Sequence, residues 1–429
     1  GEASLNGAIV NMAQNYVGSN NVNLLEPNGQ FGTRLHGGDD SASERYIFTM
    51  LNPLTRSVFK DADDAVLTYL NDDGTLVEPE YYVPIIPFAL MNGISGIGTG
   101  FSCSIPAFSP VQIIDYLRFK LRGENVAAAG EFVPYYEGFK GSVAKLPDTQ
   151  KYLVRGVYEK VSDDKIRITE LPVGTWTMPY TTFLEGLMDG GTDKTGKRVP
   201  PSIRDFTSVC TEVSVDIVVA FPRGRLAELE ASRDAVTDIN GVEKLLKLST
   251  TVSTTNMHMF NHECKLHKYT SVEEVIEEFY DVRIATYGKR KAFLIDDLQK
   301  KLIKLSNRAK YILAILDGSV DLRKKKADVV TELLTSKGFA LIDGDFKYLI
   351  KMPMDSVTEE NVERILKEKG DAEAELKLLQ ATTLETMWLA ELDVLQKDYT
   401  GYKKKREQIQ AGSGTKPKTV TKKRVVKKK

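Results

Sequence analysis

Arg45 and Tyr46 stand side by side in HGGDDSASERYIFTM (residues 36–50), behind a glycine pair and ahead of alternating apolar residues. A phenol oxygen can attack a phosphodiester, hold the phosphorus as an ester and later leave, which divides one hard step into two. A neighbouring guanidinium keeps its charge and offers paired donors that match phosphate oxygens. Arg34 is a second cation nearby in sequence, and Gly29, Gly32, Gly37 and Gly38 would let the lead-in loop lie against a nucleic-acid backbone. A tyrosine is most often a half-buried packing residue, so Tyr46 draws its interest from these surroundings.

Other residue sets offer less chemistry. His258, His262 and His267 are close in sequence, but HMFNHECKLH has no glutamate after its first histidine and reads as strand as readily as helix, so no metal site is expected. GISGIGTG (residues 93–100) resembles a phosphate-cradling loop, yet FSCSIP follows where a dinucleotide fold needs a helix. The glycines fit a tight turn that presents Ile94 and Ile97, either as core filler or as a wedge between base steps.

Several elements must position these residues. Leu5, Ile9, Met12 and Tyr16 fall at helical spacing up to the GSNN stop at residues 18–21. YIFTML from Tyr46 reads as a short strand ending at Asn52-Pro53, with a helix from Pro53 through Phe59. A helix opens at Ser109-Pro110, with Val111, Ile114 and Leu117 on one face, and closes at Gly123. KYLVRGVYEKVSDDKIRITELP reads as two strands about an Asp-Asp turn, within an α/β region that runs to about residue 268. Ser271 and Glu274 form a capping box, and a stripe from Val275 through Phe279, Val282, Leu294, Leu298, Leu302 and Leu305 to Ile312 predicts one long helix. A second box, Ser356 with Glu359, opens another helical arm through about Lys405. The two arms bracket a short apolar segment, which predicts an antiparallel coiled coil with a small globule that meets a second copy of the chain.

Composition sets the limits. A chain of 429 residues is long enough for two to four domains. Cys103, Cys210 and Cys264 are odd in number and far apart, which predicts free thiols. The longest apolar stretch, VPIIPFALM, is too short and too proline-broken to span a membrane. Lysine and arginine number 58 against 59 acids, but residues 401–429 hold 12 bases and one acid, which leaves a formal −12 on the first 400. Bulk charge therefore does not advertise nucleic-acid binding, and any phosphate contact must be local. The tail SGTKPKTVTKKRVVKKK is expected to be disordered, either as a DNA-contacting or nuclear-targeting arm or as a solvated end. The opening GEASLNGAIVNMAQNYV already lies inside a helical pattern, so the chain is expected to be a piece of a longer protein.

Four segments, AQNYVGSNNVNLLEPNGQFGTRLHGG, ASERYIFTML, VEPEYYVPIIPFALMNGISGIGTGFSCSIP and ITELPVGTWT, together resemble the breakage-reunion core of eukaryotic-type (type IIA) DNA topoisomerase II, a type that some large DNA viruses also encode. The resemblance runs from residue 1 to about 405 and implies a mixed α/β multidomain chain. Residues 1–93 would be the C-terminal part of a winged-helix domain with the catalytic tyrosine, 94–268 an α/β tower domain, 269–405 a long antiparallel coiled coil with a small helical C-gate, and 406–429 a disordered basic tail.

The resemblance also implies roles. Tyr46 would attack DNA and link to its 5′ phosphate, and Arg45 would steady that phosphate. Ile97, beside Gly96, would wedge between base pairs, which turns the reading of that turn away from core filler. Asn20, Asn21, Thr33 and Arg34 would contact the duplex. The implied partners are double-stranded DNA and a second copy through the C-gate, with no membrane. The implied cofactors, Mg2+ and ATP, would both be held by regions absent from this chain, with no metal site here. The implied activity is ATP-dependent cutting of both strands, passage of another duplex and religation, in the nucleus, or in a virus factory or virion for a viral version. This piece alone is expected to cut poorly, and the alternative is a dimerising DNA clamp with no chemistry. The chain departs from the family pattern at Asp39, where lysine is usual, and lacks the acidic insertion often found between the coiled-coil arms.

Overall fold

The computed structural model describes residues 1–192, 198–353 and 358–412. They form two compact units, one of residues 1–60, 84–282 and 391 onward, the other of residues 61–83 and 283–390. Ser356, and with it the second expected capping box, lies outside the described residues, as does the tail beyond residue 412.

The first unit is mixed α/β. Four antiparallel strands lie in the order Asp205–Ser208, Ile217–Ala220, Lys165–Glu170, Val157–Ser162. Side chains alternate across a strand, so Ile166 and Ile168 share a face with their register partners Val219 and Ile217, and all four are fully buried. Tyr180 and Leu184 of the Thr177–Asp189 helix pack into the same core with Leu226, Val242 and Leu246. Each such side chain contributes about 1.5 to 3 kcal/mol on burial.

The segment expected to give two strands gives three. The Asp163-Asp164 turn does join Val157–Ser162 to Lys165–Glu170. Lys151–Arg155, however, leaves to become the middle strand of a separate sheet, between Ser142–Lys145 and Ser249–Ser253. Gly156 is the corner, where a Cβ would sit 2.4 Å from the carbonyl oxygen of Glu170. The Pro110–Leu121 helix forms as expected, although Ile113 and Tyr116 join Ile114 and Leu117 on the buried face in place of Val111. The first helix, Glu2–Ala13, stops short of Tyr16, and Leu5 and Met12 are exposed.

One helix of 45 residues, Val272–Leu316, follows. Ser271 Oγ accepts from the Glu274 backbone N–H (3.1 Å). The reciprocal bond of a capping box is replaced, because the Glu274 carboxylate takes the backbone N–H (2.6 Å) and hydroxyl (2.8 Å) of Thr270 and faces His267 (3.0 Å). In the second unit Lys291 Nζ donates to the carbonyls of Gln380 (3.1 Å) and Thr382 (2.6 Å), while Leu305 and Ile312 cluster with Ile365 and Ala372. The return helix Glu359–Ala381 therefore runs antiparallel to the outgoing one. The expected single return arm is two helices, since the helical run breaks at Thr382-Thr383 and resumes as Leu384–Gln410. Residues 406–410, expected within the tail, belong to that last helix. Tyr311, Val330, Leu334, Phe339, Phe346 and Leu349 form a small core between the arms.

Candidate active site

Residues Glu44–Tyr46 make one 3-10 turn, closed by the Tyr46 N–H donating to Ser43 O (2.9 Å). Beyond it the chain extends along residues 24–28. Phe48 and Asn28 exchange backbone bonds (3.0 and 3.1 Å), Glu26 N–H donates to Met50 O (2.8 Å), and Asn52 N–H donates to Leu24 O (3.0 Å). Extended pairing thus starts two residues after Tyr46, which sits on a turn and not on the expected strand. Asn52 Oδ1 accepts from the Leu54 N–H (2.9 Å) in the turn ahead of the next element, a helix of only Thr55–Val58 whose N-cap position is Leu54 and which has no side-chain cap.

The turn faces solvent. Tyr46 is 67% exposed, and the guanidinium carbon of Arg45 lies 4.8 Å from the centre of its ring. A cation over an aromatic face is attracted by the ring quadrupole at such a distance. Arg45 is also exposed, so its donors remain open to a ligand arriving at the phenol. A polar cavity of about 390 Å³, lined by Asn6, Asn11, Gln14, Asp39 and Glu44 among others, opens beside the turn.

The lead-in loop is held from within. Asp40 accepts from the Thr33 N–H (2.8 Å), the Thr33 hydroxyl (2.5 Å) and Gln30 Nε2 (3.3 Å). Desolvation opposes ionisation of Asp40, but the bonds from Thr33 outweigh it and hold the carboxyl below its ordinary value. Tyr16 shows the opposite effect, pushed up to about 12 by burial and by the charges of Asp40 and Asp39. Gly37 adopts φ +67°, and a Cβ on it would sit 2.2 Å from Nε1 of Trp176. The close approach expected of the glycines toward DNA is therefore made, at Gly37, toward the chain's own indole.

Three residues expected to contact DNA have their side chains engaged within the fold. Arg34 is buried and pairs with buried Glu170. Glu170 also accepts from the backbone N–H groups of Leu171 (3.0 Å) and Lys140 (3.2 Å). Thr33 is buried and spends its hydroxyl on Asp40. Asn21 is buried, donating to Met91 O (2.9 Å) and Tyr135 O (3.0 Å) and accepting from the Glu137 N–H (2.7 Å). Asn20 is half-buried, with its amide on the carbonyls of Asn11 (2.6 Å) and Gln14 (2.9 Å). Glu170 and Trp176 escaped notice in the sequence, although both fall in ITELPVGTWT. A lone tryptophan next to a buried-strand pattern was the available signal.

Ile97 lies near the end of the hairpin Ile94–Gly98/Phe101–Ile105 and is 94% exposed. A Cβ on Gly96 would meet nothing within 4 Å, so that flank is open. The hairpin is braced from below, where Ser104 N–H donates to Asn256 O (2.8 Å) and Phe101 meets Phe260 edge-on (5.6 Å). HMFNHECKLH itself forms the hairpin Met257–Phe260/Leu266–Tyr269, which removes the helical spacing of its first two histidines. Among the described residues no group of three or more His, Cys, Asp and Glu side chains could hold a metal ion, and no helix is long and apolar enough to cross a membrane.

Comparison with known proteins places these features in context. The family of DNA gyrase/topoisomerase IV A-subunits matches residues 1–393. DNA topoisomerase 2 of Bombyx mori is 39% identical over 97% of this chain, and that of Arabidopsis thaliana 37% identical over 96%. In each case the chain spans 29% of the relative's length. Among solved structures, the DNA-binding, cleavage and re-ligation domain of Plasmodium falciparum topoisomerase II superposes with a TM-score of 0.84 at 36% identity, covering 96% of this chain and 57% of that one.

Proposed function

Because the chain belongs to the DNA gyrase/topoisomerase IV A-subunit family, we propose that it is the strand-breaking part of a type II DNA topoisomerase, with Tyr46 as nucleophile. The exposed phenol with Arg45 over its ring is the observation that carries this reading. The Tyr46 oxygen attacks a backbone phosphorus, forming a phosphotyrosine bond as the bond to the 3′ oxygen breaks. The phenol gives up its proton and the leaving 3′ oxygen gains one. Arg45 pairs with the non-bridging oxygens as charge builds on them. One ester replaces another, so the reverse attack by the 3′ hydroxyl reseals the strand without added energy.

Ile97 enters a base step in this reading, which its exposure on the tip of a braced hairpin supports. In this reading residues 1–93 complete a winged-helix domain, 94–268 form the tower, and the paired helices with their small core form the coiled coil and a C-gate where two copies meet. ATP binding and the strand-passage cycle belong to the longer protein. The Mg2+ that the resemblance implies finds no fitting donor set among the described residues, so no step here runs through it. A DNA substrate puts the place of work in the nucleus of a eukaryotic cell.

The test uses the full-length parent with plasmid and magnesium, quenched by denaturant. Wild type leaves a peptide containing Tyr46 on the DNA, and Tyr46→Phe leaves none. An undiminished adduct in the variant overturns the assignment, and DNA retention with no adduct in wild type favours a clamp without chemistry.

A further inference from the structure

We infer that the second unit carries a binding site for a compact multivalent phosphate anion, walled by Arg308, Lys347, Lys351 and Arg364. The four side chains line one open cavity of about 390 Å³ together with Tyr348 and Glu368. That volume lies in the range of small-ligand sites and suits a run of two or three phosphate groups, not a duplex. Three elements deliver the cations. Arg308 comes from the long helix, Lys347 and Lys351 from the turn of helix Lys347–Ile350 and the residue after it, and Arg364 from Glu359–Ala381.

Among the described residues the cations outnumber the acids that face them. Among the described residues Glu368 is the one carboxylate on the wall, and it receives Arg364 Nη1 at 3.3 Å. Asp345 answers Lys347 at 2.6 Å. Among the described residues two positive charges remain over, in a chain whose formal net charge is −1. Like charges gathered around one cavity repel unless an anion sits among them. Arg308 is half-buried and holds its Nε–H inside the wall, as Arg118, Arg283, Arg290 and Arg406 do elsewhere, which leaves the rest of its guanidinium for the cavity. The Tyr348 hydroxyl on the wall is spent within the fold, donating to Ala340 O (2.6 Å). Two guanidiniums that can grip anionic oxygens in pairs, with two ammoniums as point charges, form a donor set whose excess charge suits a multivalent phosphate better than a single carboxylate or an uncharged sugar.

The site lies in a different unit from Tyr46 and stands or falls separately from the strand-breaking reading. Calorimetric titration of inorganic tripolyphosphate into the full chain, at fixed ionic strength, tests it. The lysine-rich tail adds a background common to all variants, so the comparison is between variants. Lys347→Gln with Lys351→Gln, both exposed positions, weakens binding by about tenfold or more, the factor carried by a lost charge-assisted contact. Arg308→Gln weakens it likewise, and Glu368→Gln strengthens it. Melting curves without ligand confirm that each variant is folded. Equal affinity of wild type and the lysine double variant overturns the proposal. So does a response to a short DNA duplex that depends on these residues with none to tripolyphosphate, which would make the cavity a contact for duplex backbone.

Discussion

Gly37 illustrates how a single residue in the candidate site is constrained by an internal neighbour. Its positive φ disfavours any side chain, and Trp176 fills the space where a Cβ would go. Gly37→Ala is expected to destabilise the first unit by about 1 to 3 kcal/mol, read as a lowered denaturation midpoint. Asp40 predicts a pH effect of definite sign. Its native carboxyl titrates below the ordinary value of 3.8, so its contribution is complete above that value and is lost as pH falls through the lower native one. The stability gap between wild type and Asp40→Asn should accordingly close in strong acid, and a gap that widens there contradicts the assignment. The Arg45-Tyr46 pair could be read from the sequence because its members are adjacent. Arg34 could not, because Glu170 lies 136 residues away and only folding shows that the cation is already taken.

Among the elements, the long helix was legible, whereas the extended stretch after Tyr46 was legible without its partner or its true start, for one physical reason. A helix is written in local signals, and Ser271 with the apolar stripe through Ile312 states both its start and its direction. Extended pairing depends on a partner, here an irregular loop at residues 24–28 whose composition says only that it turns. The same limit hid the departure of Lys151–Arg155 into another sheet. Ser271→Ala removes the acceptor for the Glu274 N–H and should cost about 1 kcal/mol by chemical denaturation. Glu274 makes the start of this helix acid-sensitive. The Thr270 backbone N–H, His267 and the Thr270 hydroxyl lower its carboxyl from 4.5 to about 2, so the benefit persists above 4.5 and fades as pH falls through about 2.

Across the whole molecule, each unit has its own means of cohesion. The first closes on an aliphatic core of ordinary kind. The first also buries the Arg34–Glu170 pair, and the second adds to its smaller apolar clusters a buried group of two cations on one acid. Arg283 and Arg290 are almost fully buried on either side of Tyr287, with guanidinium carbons 4.0 and 4.5 Å from its ring centre, and both reach Asp63, at 2.7 and 3.3 Å. The apolar stripe that announced the helix did not include these residues, since arginine is read as surface unless its partner is known. Asp63→Asn withdraws the shared carboxylate from two buried cations and should lower stability by about 3 to 5 kcal/mol, visible as a depressed calorimetric transition.

The openness of the Tyr46 turn has a practical consequence. Burial raises the phenols of Tyr116, Tyr180 and Tyr399, among others, and so suppresses the phenolate that electrophilic nitration consumes. Tetranitromethane at mildly alkaline pH should therefore mark the 67%-exposed Tyr46 early, with Tyr81 and Tyr82 as its exposed competitors. The yellow nitrophenolate left at position 46 would then act as a built-in optical reporter, its absorbance changing whenever a polyanion settles over the neighbouring guanidinium.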